Sequence, residues 1–443
     1  MKVFFKTEKY SKNFLLIASL MTLAIWQLSC ANLRKSVDTK QDTKMSNVAA
    51  AQAVKSPELP IITAIASQYL LKDSTSAKVY LEVSIENFDF SKGFVGFKEA
   101  FRANWLMQSD YTVRDRLAYE KIEITETNYW QKDQKILIAF DVERPKKLNE
   151  VLLLTEFWDI NASRKATNDL LIDFTGKRLN TRFDAFANGY SVPSFKRFLG
   201  INDGFEVKSV TGTAKDLFVL QYEPGFEPAP SPMSTTAKGY SFGYSPKKVF
   251  NIKTNTNIQL PEQGLYLFVE DTTDLTNGFS LLISDERFPK YTRAEKLVQP
   301  VVYMSTKQEI TAIREATNAK DALDKYFLEV TGGNIPLAKK IIKSYYKRVE
   351  EANNLFTNYK EGWKTDKGMV FIILGPPNKV QRNRNREVWV YSQNQNFSEV
   401  LFTFYKKPNQ FTDNNYELVR YPEYQSYWYP FVEAWRTGNI AAE

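Results

Sequence analysis

The C-terminal third of the chain is organised around residues 361–368, because the hydrophobic period changes within this short stretch. Before it, apolar residues recur every three to four positions up to Phe356 and Tyr359, as on an amphipathic helix. After it, residues 369–374 form an apolar run that is typical of a buried strand and is closed by Gly375-Pro376-Pro377. The sequence therefore predicts a helix that ends near residue 361 and a strand that begins near residue 369.

The motif itself, Gly-Trp-Lys-Thr-Asp, has the residue types of a helix end and a turn. Gly362 suits the left-handed position after a helix cap. Trp363 falls where an apolar side chain packs back on the last turn, against Phe356 or Tyr359. Thr365 and Asp366 suit bonds to the backbone amides that follow, and Gly368 can complete the turn. We therefore expect a structural motif with a buried Trp363 and an Asp366 bonded to local backbone.

Two residue types limit the chemistry of the chain. It has no histidine and a single cysteine, Cys30. These numbers exclude histidine-based catalysis, cysteine and histidine metal sites and intrachain disulfides. Thr365 beside Lys364 or Lys367 could form a Ser/Thr–Lys hydrolase, but adjacent side chains rarely converge and no oxyanion motif is visible. We predict no catalytic residue, no metal and no cofactor.

The N-terminus has the layout of a secretory signal. Lysines precede the apolar residues 14–26, which are too few for a membrane span of roughly 20 residues. Leu28-Ser29-Cys30 resembles a lipobox, although Gln27 stands where leucine is usual. We expect residues 1–29 to be a lipoprotein-type signal peptide and Cys30 to carry the lipid, such as palmitate. The alternative is a plain signal peptide with an incidental cysteine.

The cellular location of the chain limits which partners its positive net charge can attract. The net charge is +8 and the pI is near 9, which could favour nucleic acid, anionic lipid or acidic glycan. A secreted, lipid-anchored chain does not meet nucleic acid. We expect a protein held to the membrane by its N-terminal lipid, at the periplasmic face of the outer membrane, with another envelope protein as its partner. Residues 30–56 lack periodicity and are predicted to be a flexible tether.

The middle of the chain is predicted to be β-rich. With 443 residues, 24 Tyr and 31 Phe, the composition favours several domains built on sheets. Alternating or short apolar runs predict strands at 78–88, 122–127, 136–140, 151–157 and 170–174, and again at 205–211, 217–222, 249–252, 264–269 and 279–283. Residues 57–180 form the expected first β domain and residues 181–300 a second, β-sandwich-like one. Residues 301–443, which follow these two domains, form the expected α+β module. The predicted fold class is therefore mainly β, with a C-terminal helical hairpin and a small antiparallel sheet.

The proline-rich stretch 224–232 is predicted to be a loop, because proline cannot donate to a central ladder. It is either a rigid connector or a binding edge with Phe226 exposed.

Two helices are predicted in the C-terminal module, over residues 306–330 and from Pro336 onward, packed as an antiparallel hairpin. Ser305 and Gln308 resemble a capping box for the first. Strands are expected at 387–391 and 399–405. The aromatic end, residues 421–435, is expected to pack across the sheet, with an interface as the alternative.

A basic segment lies between two of these elements. Lys379, Arg382, Arg384 and Arg386 alternate with Asn and Gln. They are a candidate contact for an anion or a partner protein, since guanidinium groups suit such ligands. The alternative is a solvated hairpin loop.

Several of these features together resemble a known family. Gly362-Trp363-Lys364-Thr365-Asp366, then Gly368, Leu374-Gly375-Pro376-Pro377 and Val388-Trp389-Val390-Tyr391, are similar to the GWxTD-domain proteins of Bacteroidota. The resemblance covers residues 300–440 and implies an envelope lipoprotein without an established reaction or ligand. The order of elements is also similar to small lipoprotein subunits of the outer-membrane β-barrel assembly machine.

Two functions remain open at this point. The first is a non-catalytic envelope lipoprotein that acts as a scaffold or accessory subunit in outer-membrane protein assembly or transport. The second is a glycan-binding or glycan-processing lipoprotein, motivated by the aromatic β-rich sequence. A processing enzyme needs two carboxyl groups facing one cleft, roughly 5 to 10 Å apart.

Overall fold

The computed structural model describes residues 59–160, 164–235, 243–392 and 399–440, and these contain more strand than helix, as predicted. The predicted signal peptide, Cys30 and the tether lie outside the described residues.

Alternating apolar residues build a first sandwich from two antiparallel four-stranded sheets. The sheet orders are β1-β2-β6-β5 and β4-β3-β7-β8. Val79 and Leu81 of one sheet face Trp105 and Met107 of the other in a common core. The elements are β1 (Ile61–Leu71), β2 (Ser76–Glu86), α1 (Gly93–Ala100), β3 (Phe101–Gln108), β4 (Ala118–Lys121), β5 (Tyr129–Lys132), β6 (Lys135–Glu143), β7 (Glu150–Asp159) and β8 (Lys165–Asp173).

The prediction of a strand at 122–127 is wrong. The neighbouring strand β4 ends at Lys121. Ile122 and Ile124 are nevertheless buried in the sandwich core. Their alternation therefore reflects inward-facing side chains on a segment outside the strand.

A second group of strands forms a five-stranded sheet, β10-β15-β14-β12-β13, faced by the pair β11-β9. Phe205 and Val207 of the pair pack on Phe268 of the larger sheet. Phe226 and Phe411 pack on the other face of that sheet. Every residue of the strand at 264–269 is therefore buried. The strands are β9 (Asp184–Ala187), β10 (Phe198–Gly200), β11 (Phe205–Lys208), β12 (Asp216–Tyr222), β13 (Lys248–Lys253), β14 (Gly264–Val269) and β15 (Phe279–Ser284).

The C-terminal module packs helices on a small antiparallel sheet of order β16-β17-β18-β19. Its core contains Trp363, Trp389 and Trp435. The elements are α2 (Ala294–Leu297), α3 (Lys307–Glu315), α4 (Ala319–Val330), α5 (Ile335–Phe356), α6 (Asp366–Leu374), β16 (Lys379–Asn383), β17 (Arg386–Tyr391), β18 (Val400–Lys406), β19 (Tyr416–Leu418) and α7 (Gln425–Arg436).

The helical region differs from the predicted hairpin. The first predicted helix is two helices, α3 and α4, separated by residues 316–318. The capping box is present one position later than predicted, with Thr306 and Glu309 as its partners. Pro336 lies in the first turn of α5, as predicted. This helix ends at Phe356, six positions before Gly362, the first residue of the motif.

The strand predicted at 369–374 is the helix α6. It is apolar and buried on nearly all sides, because α5, α7 and β19 all contact it. Burial all round removes the polar face that would have indicated a helix. Gly375, at φ +83°, ends α6 rather than a strand, and Pro376 and Pro377 follow it.

The aromatic C-terminus packs partly on the sheet, as predicted, and partly on the helices α5 and α6. It forms α7, whose Trp428 and Trp435 are buried. The Trp435 indole donates to the carbonyl of Ile373 at 3.1 Å. Tyr424, just before α7, stacks on Phe402 of β18 with ring centroids 4.4 Å apart.

Candidate functional site

The motif forms a tight turn between α5 and α6, and its first glycine has a different role from the one predicted. Gly362 is not in the left-handed region, since it begins a 3-10 turn, Gly362–Lys364. A Cβ on Gly362 would lie 2.1 Å from the Ala352 carbonyl oxygen, and one on Gly368 would lie 1.9 Å from the Gly362 oxygen. Both glycines are therefore required for close approach of backbone to backbone.

Trp363 is fully buried, as expected, and every polar group of the residue is bonded. Its amide donates to Asn353 Oδ1 at 3.1 Å and its indole to Tyr291 Oη at 2.9 Å. Its carbonyl accepts from Tyr303 Oη at 2.9 Å, and the Tyr303 ring packs on the indole. The predicted contact with Phe356 or Tyr359 is replaced by this one, because α5 has already ended before the tryptophan.

Thr365 begins α6 as its N-cap. Its hydroxyl accepts from the Gly368 amide at 3.0 Å and donates to the Gly362 carbonyl at 2.7 Å. This agrees with the predicted bond to a following amide.

The partner of Asp366 is a distant arginine and not the local backbone that was predicted. The Asp366 carboxylate forms an ion pair with Arg420, which lies beyond the last strand of the module. The residue is only 9% exposed. Burial raises the pKa of Asp366, while Arg420 and Lys360 oppose the rise. The sequence carries no periodic signal that links Asp366 to Arg420.

Other charged residues of the motif also lie in buried pairs. Lys364 contacts Glu361 at 2.9 Å, and Lys367 contacts Glu387 of β17 at 2.9 Å. Burial lowers the pKa of Lys367, although Glu387 opposes the change. Burial also acts to raise the pKa of Glu387, but Lys367 and Arg382 hold it below its usual range. A charge of either sign is thus stabilised by a partner within the fold.

The proline-rich stretch is a loop, as predicted, and it joins the second group of strands to the motif. Ala229 donates its amide to the Lys364 carbonyl at 2.9 Å, and Lys360 Nζ donates to the Glu227 carbonyl at 3.1 Å. Phe226 is buried at 9% exposure, so it does not form the exposed binding edge.

A cavity of about 310 Å³ opens between this loop and the motif, and we name it the motif cleft. Its volume lies at the lower end of the range for small-molecule sites, roughly 300 to 1,000 Å³. Its lining combines aromatic rings with charged and amide side chains. The lining includes Phe226, Tyr244, Tyr359, Phe411 and Tyr416, with Glu227, Lys360, Thr365, Asp366, Glu417 and Arg420, and the amides Asn358, Asn409, Gln410 and Asn415.

A second cavity, of about 540 Å³, lies beside the motif. Lys367, Glu387, Pro376 and Pro377 line it together with residues of β1. Thr365 lines both cavities.

Two of the four basic residues predicted as an anion or partner contact are paired within the chain. Arg382 bonds to Asp169 of the first sandwich at 2.8 Å. Arg384 pairs with Glu150 and lies 3.3 Å from Asp110 of the same sandwich. Lys379 and Arg386 are exposed. Arg382 and Arg384 therefore link the C-terminal module to the first sandwich.

Two general features concern the described residues only. Among the described ranges, no group of three or more His, Cys, Asp or Glu is placed to hold a metal ion. Within the same ranges, no helix combines the length and apolarity needed to cross a membrane.

The fold and site define a β-rich protein whose C-terminal α+β module is built around a buried Gly-Trp turn. Residues 264–437 match the family model of the GWxTD domain, from β14 to the end of α7. The chain is a GWxTD-domain-containing protein.

No curated protein matches the chain. The full ectodomain (Ig1–Ig3) of mouse nectin-like molecule 4 is similar over 52% of this chain and 66% of its own, with 10% identity and a TM-score of 0.16. The aligned region thus spans just under two thirds of that ectodomain.

Proposed function

We propose that the chain is a non-catalytic envelope lipoprotein that acts as a scaffold or accessory subunit in outer-membrane protein assembly or transport. This proposal rests on one observation: the motif and its neighbours bond to other parts of the fold and hold them together. The turn at Trp363 connects α5 to residues near α2, and the loop at Ala229 is bonded to Lys364. Arg382 and Arg384 connect the same module to the first sandwich. A scaffold needs such fixed geometry between its parts.

The N-terminal sequence supports the envelope location. In this proposal Cys30, in the lipobox-like Leu28-Ser29-Cys30, is the predicted lipid anchor and residues 30–56 are the predicted tether; both lie outside the described residues. Anchoring would concentrate the folded part at the membrane, where another envelope protein is the expected partner.

Affinity purification of the full chain from detergent-solubilised membranes tests this function. We expect a membrane protein to co-purify at fixed stoichiometry after chemical crosslinking and at low detergent. Cys30→Ser should lose the lipid and that partner, whereas Ser36→Ala, a change within the predicted tether, should retain both. Recovery of the wild-type chain alone would overturn the proposal.

A second candidate, a glycan-binding or glycan-processing lipoprotein, is favoured by the motif cleft. Three acidic residues, Glu227, Asp366 and Glu417, line this cleft beside aromatic rings. Because Arg420 holds the Asp366 carboxylate in an ion pair, the arrangement favours binding over hydrolysis, which needs a carboxyl group free to exchange its proton.

A further inference from the structure

The apolar wall of the motif cleft is held in place by its own ring contacts. Phe226 meets Tyr359 edge to face with centroids 5.0 Å apart, and Phe411 stacks on Tyr359 at 6.0 Å with an interplanar angle of 22°. Phe226 and Phe411 are buried, whereas Tyr359 and Tyr416 keep part of their surface open. The cleft thus has fixed rings against which a flat apolar face of a ligand can pack without reordering side chains.

The polar wall is rich in side-chain amides. Gln410 Nε2 donates to Tyr222 Oη at 3.1 Å, and Asn358 Nδ2 donates to the Asn414 carbonyl at 3.1 Å. These bonds orient both amides while leaving lone pairs and N–H groups for further partners. Groups that both donate and accept suit hydroxyls, which also do both.

The charges that line the cleft disfavour an anionic ligand. Arg420 is held by Asp366 and by the Pro230 carbonyl, at 3.3 Å from the latter. Lys360 donates to the Glu227 carbonyl. Both cations of the lining therefore already have partners in the fold. Glu417 adds a carboxylate, which accepts from hydroxyls and repels phosphate or carboxylate groups.

From these walls we propose that the motif cleft is a binding site for a neutral oligosaccharide, whose ring faces pack on Tyr359 and Tyr416 and whose hydroxyls bond to Glu417 and the amides. This site rests on the second candidate function and assigns it a place and a ligand class. It gives the Thr365–Asp366 end of the motif a role beyond its turn, because both residues line the cleft that the turn creates.

Isothermal titration calorimetry on the full chain tests the site, in an oligoethylene glycol detergent so that no sugar headgroup competes. The probes are maltotetraose, cellotetraose, chitotetraose and mannotetraose, with tetragalacturonate as the acidic probe and tetramethylammonium as the cationic one. We expect at least one neutral tetrasaccharide to bind with a Kd below about 1 mM. Glu417→Gln should weaken that binding about tenfold, because a hydrogen bond to a charged acceptor is lost.

A matched variant and a second site variant separate the outcomes. Glu423→Gln makes the same change at an exposed residue outside the cleft, and its Kd should equal that of the wild type. Tyr359→Leu should weaken binding at least tenfold, with circular dichroism confirming that it folds. If a saccharide binds all variants equally, glycan binding stands but the cleft is not its site. If only tetragalacturonate or tetramethylammonium binds, or no probe binds, the proposal is wrong.

Discussion

The backbone of Gly362 lies against that of Ala352, so that a Cβ added to the glycine would stand 2.1 Å from the Ala352 carbonyl oxygen. Ala352 belongs to α5, and no flexible side chain can move aside to relieve this contact. We expect Gly362→Ala to lower the free energy of unfolding by about 3 kcal/mol or more. Guanidinium chloride unfolding followed by tryptophan fluorescence measures the loss.

Gly225→Ala is the matched control for that substitution. A Cβ on Gly225 meets no atom within 4 Å, and its φ is not positive. Its effect on stability should stay within about 0.5 kcal/mol. Equal effects of the two substitutions would show that the turn adjusts freely and that close approach does not explain the motif glycine.

Thr365 stabilises the same turn through its hydroxyl, which both caps α6 and bonds back to Gly362. Thr365→Ala should cost about 1 kcal/mol, within the usual range of about 0.5 to 2 kcal/mol for loss of an N-cap. Thr365→Ser keeps the hydroxyl and should cost less than about 0.5 kcal/mol. Urea unfolding of the two variants at neutral pH compares them, and a serine variant as unstable as the alanine variant would assign the effect to the threonine methyl group.

Much of the β-rich part could be predicted from its period, since Val79, Leu81 and Val83 alternate in sequence and face the first core as predicted. The strand β3 offered the same signal, because Phe101, Ala103, Trp105 and Met107 are all buried while their neighbours are more exposed. The hydrophobic period therefore identifies strands with one buried face, including β3, which lies outside the predicted strands.

The helix α6 could not be assigned by period, because burial on nearly all sides makes a helix and a buried strand look alike. Its ends carried better information: Thr365 is an N-cap and Gly375 lies just past the last turn. The motif cleft could not be predicted from the sequence. Asp366 and Arg420 are 54 residues apart, and only tertiary packing brings them together with the proline-rich loop.

Glu387 is the central acceptor of a buried charge cluster. Its carboxylate accepts from Lys367 Nζ at 2.9 Å, from Arg382 Nε at 3.2 Å and from the Trp389 indole at 2.5 Å. Glu387→Gln keeps the shape but removes the charge, which leaves Lys367 buried without compensation. We expect a loss of about 2 to 4 kcal/mol in chemical unfolding.

The exposed pair Lys325–Glu329 on α4 provides the comparison for Glu387. Its atoms are 3.7 Å apart and both side chains are largely in solvent. Glu329→Gln should therefore change stability by less than about 0.5 kcal/mol. Similar losses in the two variants would argue that burial does not strengthen the cluster around Glu387.

Glu270 should make part of the stability depend on pH. Arg182, whose two terminal nitrogens bond to the carboxylate at 2.9 and 2.5 Å, and Lys215 hold the pKa of Glu270 at about 2, below its usual 4.5. A carboxyl group whose pKa is lower in the folded chain stabilises the fold above its unfolded pKa and loses that effect as pH falls through its folded pKa.

Glu270→Gln should therefore lower the free energy of unfolding by about 1 to 2 kcal/mol at pH 7, after allowance for solvent screening. The difference from the wild type should shrink between pH 4.5 and pH 2. Thermal unfolding across this range measures it, with Glu315→Gln at the exposed end of α3 as the control. A difference that stays constant with pH would show that the carboxylate acts through its shape and not through its charge.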